Sequence, residues 1–253
     1  MLAESFFARQ SLGDWGFRWL HILAGIMWIG LLYYFNFVQV PAFAAFGDEA
    51  RARNIAIDKV ARKALWWFRW AAVSTFVTGI LITIITPNYF SEGFGKSAGG
   101  IAISLGMLLG IIMMLNVWGV IWRNQKVVLA NAANVLGGGE ANPDAPAAGR
   151  KAVMASRQNA IFSVSMLFFM VFKGHNHYAT APLSSGNTGA FWGITIVIVA
   201  ILEINALGLM PWKTQANKGL NVLYDGKGVR NPIIAAFGLW VVMLILSEIF
   251  LKG

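Results

Sequence analysis

The sequence predicts an all-α fold: a polytopic membrane helical bundle of about six transmembrane helices, with both termini on the outer, periplasmic side. Three observations predict it. Hydrophobic residues make up 57% of the 253 residues and charged ones only 12%, about half the charged share of a soluble domain. Mean hydropathy is +0.62, and 11 Trp with 18 Phe point to lipid as the solvent. Six stretches reach the roughly 20 apolar residues that a ~30 Å hydrocarbon core demands of a helix: 19–40, 65–86, 99–122, 159–178, 190–211 and 232–251. Lipid cannot satisfy open backbone groups, so helices are the expected solution. The runs are too long and too continuously apolar for barrel strands.

Residues 1–18 form an outer N-terminal segment, and 1–253 read as a single integral membrane domain. The first span is not a signal peptide, although Ala42-Phe43-Ala44 resembles a cleavage motif. Its apolar run exceeds a signal core of ~7–15 residues, and Glu4 and Asp14 precede it along with Arg9 and Arg18. Residues 41–64 begin at Pro41 and interleave Ile55, Ile57, Val60 and Leu65 with Arg51, Arg53, Lys59, Arg62 and Lys63. That pattern predicts an inner amphipathic helix on the membrane surface, either a plain connector or a contact for anionic lipid or a partner. Residues 88–97 and 179–189 are short Gly/Ser-rich outer loops. Residues 124–157 form the longest inner connection, with a flexible centre, GGGEANPDAPAAG, and flanks that extend the third and fourth helices. The fourth span is the weakest, because Lys173 and His175 sit in its last turn.

The charges orient the bundle. Five of the twenty basic residues fall on the N-terminal side and fifteen on the other; with four and seven acidic residues, the two faces carry +1 and +8. Cytoplasmic loops are rich in Lys and Arg. The basic face is therefore expected in the cytoplasm, and the chain in a bacterial inner membrane as a multi-pass protein. The net charge of +9 then reports orientation rather than nucleic-acid binding. With no cysteine, disulfides, thiolate metal sites and a covalently attached c-type haem are excluded.

Polar groups at membrane depth are expensive and become functional candidates. The chain has only three histidines. His21 opens the first span and His177 closes the fourth, so three crossings bring both to the outer face. Two imidazoles from different helices at one depth suit the axial positions of one b-type haem. Gly25 and Trp28 follow His21 on its own helix face, leaving room for a flat macrocycle and an edge to pack on it. Met170 and Lys173 precede His177, one to line an apolar pocket and one to pair with a propionate. His175 is the alternative ligand, since i and i+2 face different sides of a helix. Ordinary interfacial hydrogen bonding by these histidines is the competing reading, and a zinc or copper site from all three is a further one. A second group, Arg69, Asn116, Glu203 and Asn205, lies toward the inner half. It reads as an Arg69–Glu203 ion pair, or as a proton path or quinone-site carboxylate. Gln158, Asn159, Trp66 and Trp67 are expected near the inner surface, where amides and aromatic belts are ordinary.

Four stretches in order resemble the membrane domain of bacterial membrane-bound urate oxidases, the urate hydroxylases with a fused cytochrome c. They are RWLHILAGIMWIG at 18–30, WWFRWAA at 66–72, GIIMMLNVWGVIWRNQKVV at 110–128 and Asn176-His177-Tyr178. The resemblance covers about residues 17–180, and the third stretch is the most specific. It implies a multi-helix domain that passes electrons to a c-type cytochrome on the outer side, and a link to purine oxidation. This chain is expected to be a stand-alone form without the cytochrome c domain. Gln158 stands where the family tends to carry a His before Asn159, which removes a candidate ligand or base. The expected function is a haem b electron-transfer subunit, an oxidoreductase component that exchanges electrons with a periplasmic cytochrome c. A haem-free structural or assembly subunit of a larger membrane complex is the alternative, and a proton-coupled transporter using Glu203 is the third reading.

Overall fold

The computed structural model describes residues 9–86, 89–90, 94–175, 183–226 and 228–251. They form six long helices: α1 (9–45), α2 (Ala50–Ile85), α3 (Ala98–Leu136), α4 (Ala145–His175), α5 (Ser185–Ala206) and α6 (Arg230–Phe250). There is no strand among the described residues. The chain is a polytopic membrane helical bundle. Consecutive helices run antiparallel, so 9 and 250 lie at one end of the bundle, here the terminal end. The turns 46–49 and 137–144 and the segment 207–226 lie at the other, the basic end.

Each of the first three helices contains one π-turn: Tyr34–Gln39, Ile57–Ala61 and Val117–Ile121. The first explains how α1 passes Pro41. Proline removes one helical N–H and clashes with the preceding turn, but here it follows directly on a widened turn that shifts the hydrogen-bond register. Helix α1 therefore continues to Ala45 and breaks only at Gly47, whose φ of 51° is left-handed. Residues 50–64 do not lie apart on a membrane surface. They are the first part of α2, continuous with its span, and the Arg62 guanidinium donates to the Leu129 carbonyl (3.2 Å) on the extension of α3. Ala61 and Leu65 are buried against the bundle, while Ile55 and Val60 stay exposed.

Helix α3 opens on a capping serine: Ser97 Oγ accepts from Gly100 N–H (3.2 Å). Ser184 caps α5 in the same way through Asn187 N–H (3.2 Å). Helices α3 and α4 pack closely because Gly106 and Gly110 give α3 a shallow groove, which Met166 and Met170 fill.

Among the described residues, five helices are long and apolar enough to cross a bilayer; α4 is not among them. Its position accounts for this. Helix α4 touches α1, α3, α5 and α6, and every residue from 157 to 163 is buried. The middle of α4 is enclosed by its neighbours, so it carries Arg157, Gln158, Asn159, Ser163 and Ser165 at depth without exposing them, while Leu167 and Val171 farther along face outward.

Candidate functional site

The terminal half holds His21. Its Nδ1 lies 3.2 Å from Thr78 Oγ1. The Thr78 hydroxyl donates its single hydrogen to the Ser74 carbonyl (2.6 Å). Its oxygen is left to accept, which fits a His21 tautomer that carries its hydrogen on Nδ1. Gly79 makes room for the ring, since a Cβ there would sit 3.2 Å from His21 Cε1. Gly25, one turn along α1, faces Thr75 at ordinary van der Waals distance. Trp28 is buried, and its indole N–H has no partner. Met170 packs against Gly106. His177 lies outside the described residues, as do the side chains of Lys173 and His175.

The backbone nevertheless sets a register. Tyr33 OH and Ser163 Oγ meet at 2.9 Å between antiparallel α1 and α4. His21 is twelve residues from Tyr33 toward the terminal end, a rise of about 18 Å at 1.5 Å per residue. Twelve residues from Ser163 in the same direction is His175, the last residue of α4. The two histidines stand at matching heights on neighbouring helices.

The basic half holds the second group, arranged differently from the expectation. Arg69 and Glu203 do not pair. The Arg69 guanidinium carbon sits 3.7 Å from the Trp122 ring centroid and 5.8 Å from that of Trp118. That contact gives it a π-face in place of a carboxylate. Glu203 instead accepts from Asn116 Nδ2 (3.1 Å). The same amide donates to Asn159 Oδ1 (3.0 Å), and Asn159 Nδ2 donates to the Met113 carbonyl (2.9 Å). Both hydrogens of Asn116 are thus committed, one of them to holding Glu203 at the α3–α4–α5 junction. Among the described residues Glu203 has no cationic partner.

Segment 207–226 folds back over the basic end as a strap. Asn205 accepts from Trp212 Nε1 (2.7 Å) and donates to Asn221 Oδ1 (3.0 Å), and Asn221 donates in turn to the Lys213 and Gln215 carbonyls. Tyr224 is fully buried; its hydroxyl contacts Gln158 Oε1 and the Leu202 carbonyl (3.0 Å). Burial raises the Tyr224 pKa. Asp225 takes a two-pronged contact from Arg150 (2.6 and 2.8 Å), the Asn217 N–H (2.9 Å) and Arg157 at 3.5 Å. Burial pushes the Asp225 carboxyl up, but the Arg150 hydrogen bonds, the Asn217 N–H and the two guanidinium charges together hold it below its ordinary value.

Gln158 and Asn159 were expected near the membrane surface; both are fully buried instead. Gln158 accepts from Tyr224, and its Nε2 has no partner. The signal was the triplet Arg157-Gln158-Asn159 directly before an apolar run. It reads as interfacial only if the helix starts there, and α4 starts more than three turns earlier. Trp66 and Trp67 are half-exposed on α2, as belt residues are. Among the described residues no three His, Cys, Asp or Glu side chains group as a metal site.

Comparison with protein-family models, characterised proteins and solved structures finds no match for this chain.

Proposed function

We propose that the chain is a membrane electron-transfer subunit that holds one b-type haem near the terminal end of the bundle, with His21 as an axial ligand. The observation that carries this is the state of the His21 ring. Nδ1 lies against a threonine whose hydroxyl hydrogen is committed to a carbonyl, the tautomer this favours leaves Nε2 to ligate, and Gly79 gives the ring room. Metal-bound histidines are commonly held this way, the non-ligating nitrogen donating to a neighbour that sets tautomer and orientation. The register of α1 against α4 supports a second ligand from the end of α4, His175 by backbone height or His177 just beyond it. When bound, the haem supplies one-electron chemistry. The protein's own part is to hold the imidazole and to surround the site with apolar helix faces. The likeness of residues 18–30, 66–72 and 110–128 to membrane-bound urate oxidases supports the same reading. It adds a soluble c-type cytochrome at the terminal face as the redox partner. The excess of Lys and Arg at the opposite face supports a bacterial inner membrane with that face in the cytoplasm.

A visible spectrum of the purified protein tests the proposal. A reduced-minus-oxidised b-type band is expected, absent in His21→Ala and in one of His175→Ala and His177→Ala. A colourless, well-folded wild-type protein overturns it in favour of a haem-free packing subunit.

A second reading rests on Glu203, a carboxyl within the bundle that lacks a cationic partner: proton-coupled transport. Proton-driven uptake into vesicles that is lost in Glu203→Gln, from a colourless protein, would favour it.

A further inference from the structure

Helices α1, α2, α3 and α4 enclose a cavity of about 40 Å³ at the basic end, on the far side of the bundle from His21. Its polar wall is Asn36 and Gln39 of α1, Gln125 of α3 and Ser156 of α4; Phe35 and Phe68 close the apolar side. Three features of this wall point the same way. Asn36 is 2% exposed and commits its amide nitrogen twice, to the Leu32 carbonyl and to Ser156 Oγ (both 2.8 Å). Its Oδ1 is left with no protein donor. Gln39 Oε1 is buried and also without a partner. Two amide acceptors therefore border one small space that offers them no hydrogen. In addition, the π-turns Tyr34–Gln39 and Val117–Ile121 both end at the cavity, on Gln39 and Ile121. Such widened turns interrupt the helical hydrogen-bond ladder and recur at functional positions.

A buried acceptor left bare is costly, so the occupant must donate hydrogen bonds. It must also be small: about 40 Å³ at roughly 10–15 Å³ for each water-sized sphere takes about three molecules. A metal cation is disfavoured, because the wall has no carboxylate and Arg62, Arg123, Lys126, Arg150 and Lys151 lie on the helices at this end of the bundle. We propose that this cavity is a water-binding vestibule: a cluster of about three waters held by Asn36, Gln39, Gln125 and Ser156, in exchange with solvent at the basic face. It gives the bundle a hydrated inlet on the side opposite the proposed haem, and it stands whether or not haem is bound.

The absence of native cysteine makes the test clean. Ser156→Cys places one thiol on the cavity wall. Ala155→Cys places one in the adjacent, fully buried position, and Lys151→Cys one on the exposed face of the same helix. The probe is silver ion in the full-length detergent-solubilised protein, read as loss of free thiol. Silver consumes the thiolate, which forms only where water reaches the sulfur. Ser156→Cys is expected to react at least ~10-fold faster than Ala155→Cys, approaching Lys151→Cys. Gln39→Cys serves as the second wall variant should Ser156→Cys elute as aggregate. Wall thiols no faster than the Ala155→Cys thiol, while Lys151→Cys reacts, mean a dry cavity and overturn the proposal.

Discussion

Alanine at Gly106 and at Gly110 is the same change made one helical turn apart, and the structure gives the two opposite surroundings. A Cβ at Gly106 would come 3.0 Å from the backbone nitrogen of Met170, 3.1 Å from its Cγ and 3.3 Å from the Met166 carbonyl oxygen. Two of these atoms belong to the α4 backbone and cannot swing aside. At Gly110 the nearest atoms are Met170 Cε and Met166 Cγ, at 3.8 and 3.9 Å, on flexible side chains. Overpacking a tight contact costs about 1–3 kcal/mol. The helix-propensity gain of glycine to alanine, ~1 kcal/mol, applies at both sites and cancels in the comparison. Gly106→Ala should therefore be less stable than Gly110→Ala by about 1–3 kcal/mol, or ~2–12 °C for a chain of this size. Thermal unfolding in detergent, followed by tryptophan fluorescence, measures the difference. Equal melting temperatures, or a more stable Gly106→Ala, would refute the close approach of α3 to α4 at this glycine.

Tyr224→Phe removes one hydroxyl and leaves the fully buried Gln158 Oε1 without its donor. A loss of about 1–3 kcal/mol is expected, and a change under ~0.5 kcal/mol would mean that the strap does not dock through this group. The Asp225 carboxyl is held below its ordinary value in the folded protein, so its contribution to stability is fully present above the unfolded pKa of ~3.9. That contribution fades as the pH drops below this value toward the folded pKa. Unfolding of the wild type should steepen with acid below pH ~4, and Asp225→Asn should start lower at neutral pH and lose that part of the acid dependence.

Much of the fold was readable because hydrophobic length is a one-dimensional property. The spans at 19–40, 65–86, 99–122, 190–211 and 232–251 each fall largely within one helix. Helix α4 was harder to delimit because a stretch wrapped by its neighbours, as 157–163 is, needs no apolar exterior, and its Arg157-Gln158-Asn159 triplet looks interfacial when only the chain is seen. Pro41 looked like a stop because nothing local announces a π-turn before it. At the site, His21 and Asn116 stood out as polar residues in apolar runs. Their partners, Thr78 and Asn159, lie 57 and 43 residues away, and no local pattern links them. Arg69 and Glu203 were paired by charge alone; the two tryptophans beside Arg69 satisfy the cation without an acid.

The enclosure of the polar middle of α4 also bears on how the chain enters the bilayer. An isolated segment bearing Arg157, Gln158 and Asn159 partitions poorly into lipid, where each charge near the centre carries a penalty of ~2.5–3.5 kcal/mol. Its amides find their hydrogen-bond partners on α3 and on the strap that follows α5. During synthesis, then, α4 has to lean on α3 while it waits for residues not yet made. Its membrane integration is a cooperative act of the whole bundle rather than the independent choice of one hydrophobic stretch.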